Sequence, residues 1–346
     1  MASSALGSTY LIGYSPTGNL NQVGNKEDVL DLVINIDPFD TPFVTMAPKT
    51  TCSHTVHEWV QDTLAATATG YSFKEGDDFS AGTLTSRSRV LNWCEIFRKD
   101  IKVSNTQRAV SPIGVRDEYA YQIMKASREI ARDIENVMFR PKASTATGAS
   151  DAARYMKTFE NFLTTNSGYA RGTLLSNSAS DNTTSSYPVF ENDFNSMLQA
   201  IYQSGGNPDV VFVSPSVKRA VSKYDGSMRT TASTTTSNPL TRNIEAASRR
   251  VVAEVNFYES DFGPIQVILD RWVPQATNTS TAGSDIRGRM VFLERTRNRL
   301  AFLRPIRHVP LPPAGDSTRG MIVGELTYEC LAEKGSGILY NVNNYA

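Results

Sequence analysis

From Arg116 to about Phe139, apolar residues return every three or four positions, at Tyr119, Ala120, Ile123, Met124, Ile130, Ala131, Ile134, Val137 and Met138, with the small Ser127 in the same stripe. Arg116, Asp117, Lys125, Arg128, Glu129, Arg132, Asp133 and Glu135 fill the positions between. This spacing predicts a long amphipathic helix, a rod with one apolar stripe and one charged face. Ser111 and Pro112 give it an entry and Pro141 a stop, so it spans about 112–140 and is roughly 35 Å long at the standard rise.

Before the rod the pattern is different. NKEDVLDLVINI (25–36) has the spacing of a short amphipathic helix. It runs into IDPFDTPFVTM (36–46), where Pro38 and Pro42 interrupt an apolar run. Each proline fixes φ and disfavours helix for the residue before it, which predicts an extended or turning arm whose Phe39 and Phe43 need a surface to bury against. TCSHTVHEWVQD (51–62) and RSRVLNWCEIFRKDIKVS (87–104) are rich in β-branched and aromatic residues with period-two stretches. Between them lie small, polar and glycine-containing residues that could not build a core, so 51–104 reads as a long hairpin projecting from the body.

After the rod, ASDAARYMKTFENFLTTN (149–166) is expected to be a second helix, followed by a polar insert over 172–188. The second half alternates like a compact α/β unit. FENDFNSMLQAIYQSGG reads as a helix with a glycine stop, NPDVVFVSP as a buried strand, and Ser214 and Pro215 as the start of the helix SVKRAVSKY. VVAEVNFYES and IQVILDRWVP form a hairpin about DFGP, and GRMVFLE and NRLAFLRP are further strands. The Ser/Thr-rich stretch 227–242 reads as an interaction loop. The closing GMIVGELTYECLAEKGSGILYNV is read as two strands joined at Lys334 and Gly335, pairing with the base of the first hairpin.

Composition narrows the function classes. With 346 residues, 40% hydrophobic and 20% charged, the chain can bury two cores and is neither disordered nor membrane-embedded. Thirty-five basic residues balance thirty-five acidic ones, which leaves no global electrostatic footprint for nucleic acid or anionic lipid. The first residues carry no basic group before Lys26 and no long apolar core, so neither a secretory signal nor a membrane span is expected. Cys52, Cys94 and Cys330 are widely separated and read as small buried hydrophobes of a chain made in a reducing compartment.

The chemistry-bearing motifs are sparse. Only His54, His57 and His308 are available to a nucleophilic triad, and EKGSGIL lacks the spacing of a nucleophile elbow. Cys52, His54, His57 and Glu58 would cluster on a helix as zinc ligands do, but Thr51, Thr55, Val56 and Trp59 favour a strand, which sends the two histidines to opposite faces. No phosphate-cradling glycine motif follows a strand. Lys218–Arg219 and Arg249–Arg250 read as solvated faces or neighbour contacts rather than nucleic-acid sites, and the carboxylates of KEGDD (74–78) as an exposed tip rather than a cation site. No catalytic residue, metal or cofactor is therefore expected.

The order of these segments carries a resemblance. The arm with IDPFDTPF, the hairpin through HEWVQDTLAATATGYSFKEGDD, IKVSNTQRAV leading into a rod that ends SREIARDIENVMF, the α/β half with FVSPSVKRAVSKY and FYESDFGPIQVILDRWVP, and the final GELTYECLAEKGSGIL together resemble the major capsid proteins of tailed bacteriophages, in the subgroup of SU10-like head proteins. The resemblance runs from about Asn25 onward.

It implies an α+β, Hong Kong 97-like capsid fold. Its parts would be an N-terminal arm (1–50), an E-loop hairpin (51–104), a P-domain with the spine helix (105–190), an α/β A-domain (191–310) and C-terminal strands returning to the P-domain (311–346). The implied function is a structural protein that self-assembles into hexameric and pentameric capsomers of an icosahedral head around double-stranded DNA. The implied place is the virion, with assembly in the host cytoplasm. Partners implied are copies of itself, a portal, and scaffolding, protease or decoration proteins. Packaged DNA would lie on the inner face without sequence specificity, and no membrane is involved. Pro38 and Pro42 would hold the arm extended over adjacent subunits, with Phe39 and Phe43 buried against a neighbour. Lys74, Glu75, Asp77 and Asp78 would meet complementary charges on the next subunit. Asp40, Arg128 and Arg132 complete the expected inter-subunit contacts. Lys74 could donate an isopeptide bond, but no acceptor is identifiable, and non-covalent assembly is expected. Two rivals remain: a soluble α/β enzyme with a dimerisation arm and a site near Ser214, and a DNA-packaging factor whose binding would fall steeply with salt.

Overall fold

The structure, a computed structural model, describes residues 37–64, 74–78, 85–110, 114–140, 152–169, 187–188, 191–222, 244–245, 250–251, 256–274, 288–340 and 342–343. The first part of the chain forms α1 (Pro42–Met46), β1 (Lys49–Thr51), β2 (Val56–Gln61), β3 (Ser88–Trp93), β4 (Glu95–Ser104), α2 (Asn105–Ala109), α3 (Glu118–Phe139) and α4 (Phe159–Phe162). The middle holds β5 (Ser167–Tyr169), β6 (Tyr187–Pro188), α5 (Glu191–Gln203), β7 (Val210–Val213), α6 (Pro215–Val221), β8 (Ile244–Glu245) and β9 (Arg250–Val251). Then come β10 (Phe257–Ser260), β11 (Gly263–Leu269), β12 (Arg289–Leu293), β13 (Asn298–Leu311), β14 (Ser317–Cys330), β15 (Gly337–Tyr340) and β16 (Val342–Asn343).

Two sheets organise the molecule. The first runs β1-β13-β14-β4. Its edge strand β4 alternates strictly, with Phe97, Ile101 and Val103 inward and Ile96, Arg98, Asp100 and Lys102 outward, the signature of a sheet covered on one face. The cover is α3, whose Ala126, Ile130, Ile134 and Met138 are buried with Phe97, Ile101, Val103 and Ile322. Asp117 caps the helix by accepting the Tyr119 amide at 3.0 Å. α2, capped by the Ser104 hydroxyl at 3.2 Å from the Gln107 amide, turns the chain from β4 toward it.

The second sheet runs β10-β11-β7-β12-β15-β5, mixing parallel and antiparallel pairs. Its central β7 reads VVFV because both faces are covered. Val211 and Val213 pack on α5 and α6 with Phe194, Met197, Ile201 and Val217, while Val210 and Phe212 face the cluster that holds α3. The turn between β10 and β11 is tight, with Ser260 opposite Gly263, and Gly263 at φ 123° takes a conformation that a side chain would strain. Beside the two sheets, β6 pairs with β16 and β8 with β9 over two residues each.

Several expectations change. Residues 152–158 are not helical, and the second helix shrinks to the single turn α4. Their backbone is claimed by the hairpin: Asn92 accepts the Lys157 amide at 2.7 Å and donates to its carbonyl at 3.2 Å, and Glu95 accepts the Met156 amide at 3.2 Å. The C-terminal segment does not stay together. β14 pairs with β13 and with β4 at the hairpin base, as expected, but β15 leaves for the second sheet. The rod begins at Glu118, and Met124 and Ser127 lie exposed while Ala126 takes the buried place. The helix expected over 25–36 and the loop over 227–242 lie outside the described residues.

Candidate assembly interface

The two prolines of IDPFDTPFVTM have different roles. Pro42 stands at the first position of α1, where a missing N–H is harmless and the fixed φ suits a helix, so the extended reading fails from Thr41 onward. The helix has no side-chain cap of its own. Glu135 of α3 supplies one, accepting the Phe43 amide at 2.7 Å and the Val44 amide at 2.8 Å, two of the donors that a helix start leaves open. Glu135, expected on the charged face of the rod, is therefore fully buried.

Phe43 is 2% exposed within a single chain. Its ring lies edge-on to Phe159 at 4.9 Å, Phe212 at 6.0 Å, Phe139 at 6.3 Å and Tyr328 at 6.4 Å, so it joins the rod, both sheets and α4. The expectation that Phe43 buries against a neighbour is corrected: its own core is where the ring fits. The rest of the arm stays near the surface. Pro38 is exposed, and Phe39, 52% exposed, lies 4.9 Å from the Arg128 guanidinium. The Asp40 carbonyl accepts the Trp272 indole N–H at 2.9 Å, its carboxylate meets Arg271 at 3.4 Å, and Arg132 sits over Trp272 at 5.7 Å. Asp37, Pro38 and Phe39 line a shallow cleft with Tyr121, Met124 and Arg128.

Beneath this surface lies an acid pair. Burial pushes Glu135 up to about 9, the neighbouring Asp270 carboxylate acting in the same direction and the two amides against it. Burial also raises Asp270, to about 6. Asp270 accepts the Trp272 amide at 2.8 Å, which acts against that rise.

The hairpin has two unlike faces. In β2 and β3, Trp59 pairs with Val90 and His57 with Asn92 on the inner side, where Trp59 and Asn92 are buried. Asn92 donates to the Tyr328 carbonyl at 2.7 Å and so ties the hairpin to β14. On the other side Glu58 pairs with Leu91 and Val60 with Arg89. Val60 is 62% exposed, Leu91 36% and Leu64 98%, and the ion pairs Arg89–Glu58 at 3.1 Å and Arg87–Asp62 at 3.4 Å lie among them. Lys74, Glu75, Asp77 and Asp78 are all exposed about a turn in which the Asp77 amide donates to the Lys74 carbonyl at 3.1 Å, with Gly76 at φ 77°. At the hairpin base, buried Glu325 meets Arg154 at 2.5 Å and Arg304 at 2.9 Å.

The other groups singled out in the sequence stay apart. His54 accepts the Val56 amide at 3.2 Å on the surface, whereas His57 lies 3.7 Å from Glu329. Among the described residues no group of three or more potential ligands could hold a metal ion, and no helix is long and apolar enough to cross a membrane.

A profile of the SU10 major capsid protein family matches residues 16–343. The chain belongs to that family. It is a major capsid protein of a phage, a structural protein and not an enzyme. It is 24% identical over 290 residues to the major capsid protein of Escherichia phage Phieco32, covering 73% of this chain and 80% of that one. The capsid subunit of cyanophage A-1(L) superposes with a TM-score of 0.64 at 11% identity, covering 95% of this chain and 99% of the other. That of a native GTA particle does so at 0.58 and 11% identity, over 96% and 100%. The fold is accordingly Hong Kong 97-like.

Proposed function

We propose that the capsid protein assembles into hexameric and pentameric capsomers in which residues 51–104 form a strap lying over the next subunit. The unpartnered outer face of the hairpin carries this reading: Val60, Leu64 and Leu91 stand in water in the single chain, beyond a base fixed by Asn92. The exposed charges at Lys74, Glu75, Asp77 and Asp78 would fix the register of the strap, and Pro38, Phe39 and Arg128 offer a second contact beside the spine helix. Each exposed contact is worth on the order of a kcal/mol or less, and repetition over many copies supplies the cohesion. In this division 1–50 is the arm, 105–190 the P-domain, 191–310 the A-domain and 311–346 the returning strands; β13 within 298–311 belongs physically with β14 and β4. Assembly in the host cytoplasm would involve a portal and scaffolding, protease or decoration proteins, with DNA held non-specifically inside.

The test is assembly of a Val60→Asp, Leu91→Asp chain, followed by negative-stain microscopy and sedimentation. A folded chain that no longer enters capsomers supports the strap. Wild-type particles from that variant would refute it.

A further inference from the structure

We propose that Cys52 and Cys94 are the two halves of an intramolecular disulfide that closes the base of the hairpin under oxidising conditions. The sequence suggested three unrelated thiols; the fold places the Cys52 and Cys94 sulfurs 3.6 Å apart across 42 positions of chain. Both backbones are fixed. The Cys52 amide donates to the Phe302 carbonyl at 3.1 Å, which anchors it to β13, and the Cys94 amide donates to the Thr55 carbonyl at 2.9 Å, where β3 passes into β4. The Cys94 thiol is oriented by the His54 carbonyl at 3.5 Å. A disulfide needs about 2.05 Å between sulfurs, so the pair has to close by rotation of the two side chains about anchored backbones.

Access is asymmetric. Cys94 is buried and Cys52 half-buried, and Cys52 lines an open groove with Thr51, Ser53, His54 and Glu58. Cys52 is therefore the sulfur that a small oxidant reaches. Its thiolate attacks a low-molecular-weight disulfide such as oxidised glutathione, forming a mixed disulfide and expelling one small thiolate. Cys94, losing its proton, then attacks the Cys52 sulfur and expels the second. Two protein thiols are oxidised, one small disulfide is reduced to two thiols, and the two protons leave with them. Burial pushes Cys94 up to about 12 and also raises Cys52, the Glu325 carboxylate adding to both. Both thiols are thus protonated and slow to react at neutral pH, which suits a bond that forms late, in an oxidising medium. The bond is chemistry of the single chain; its consequence, a hairpin fixed at its root, rests on the strap reading above.

The test treats purified full-length protein, free and as particles, with oxidised glutathione or with dithiothreitol. It is then alkylated with iodoacetamide in denaturant and digested without reduction. Oxidised wild type should lose two of its three alkylation sites and yield one peptide linking Cys52 to Cys94. Cys52→Ser and Cys94→Ser should each abolish that peptide and restore labelling of the remaining partner, whereas Cys330→Ser should leave it intact. Full labelling of all three cysteines, or links between chains, would overturn the proposal. If the bond forms but oxidised particles dissociate at the same temperature as reduced ones, the disulfide stands and the strap reading is weakened.

Discussion

Glu135 accepts the backbone amide of Phe43 at 2.7 Å, across 92 positions of the chain. A carboxyl from α3 thereby caps the one-turn α1 and sets the ring of Phe43 among Phe139, Phe159, Phe212 and Tyr328. α1 is thus part of the subunit's own core, whereas Val60, Leu64 and Leu91 of the hairpin stay exposed in the single chain.

Phe43→Ala should cost about 3–5 kcal/mol of folding stability, because it empties an aromatic cluster that cannot readily collapse. Phe39→Ala, which removes an exposed ring from Arg128, should cost less than about 1 kcal/mol. Chemical denaturation of the two variants measures the contrast. Equal losses would mean that Phe43 is not the anchor described.

Stability should fall as pH rises through the range set by the acid pair. A carboxyl whose pKa is higher in the folded than the unfolded state binds its proton more tightly when folded, so its contribution is full below the unfolded value and is lost up to the folded one. For Glu135 that interval runs from 4.5 to about 9, and for Asp270 from 3.8 to about 6. Asp40 adds negative potential at Asp270. Asp270→Asn keeps an acceptor for the Trp272 amide and offers an N–H to Glu135, so melting temperatures between pH 6 and 9 should vary less than in wild type. Identical slopes would contradict the role of Asp270 in raising Glu135.

Gly320→Ala should be destabilising by about 1–3 kcal/mol. Its added methyl group would meet the Tyr119 hydroxyl and come within 2.5 Å of His308 Nε2. That hydroxyl donates to the Arg319 carbonyl at 3.2 Å and meets His308 at 3.0 Å, fixing the start of α3 to the β13–β14 ribbon. Thermal unfolding measures the effect, and an unchanged melting temperature would show that this contact yields freely.

Much of this was legible where one element reports its own surroundings. The alternation of β4, the stripe of α3 and the unbroken VVFV of β7 each follow from which faces are covered. What escaped depends on partners far along the chain. Pro42 fits a strand or a helix start equally well until the capping carboxyl is known. The charge pattern of the rod put Glu135 in water because its two amide donors lie some 90 residues away. Residues 152–158 have helical spacing, but Met156 and Lys157 give their amides to Glu95 and Asn92. The hairpin register sets Cys94 opposite Thr55, and only the bend over 53–55, which carries Cys52 onto β13, brings the two sulfurs together.

Hydrogen exchange of assembled particles against dissociated subunits tests the central claim most directly. Residues 42–47 and 118–139 should be equally slow in both states, while 56–64 and 85–91, already paired in the free subunit, should become slower still on assembly. Hairpin exchange unchanged by assembly, or protection of 42–47 appearing only in the shell, would contradict it.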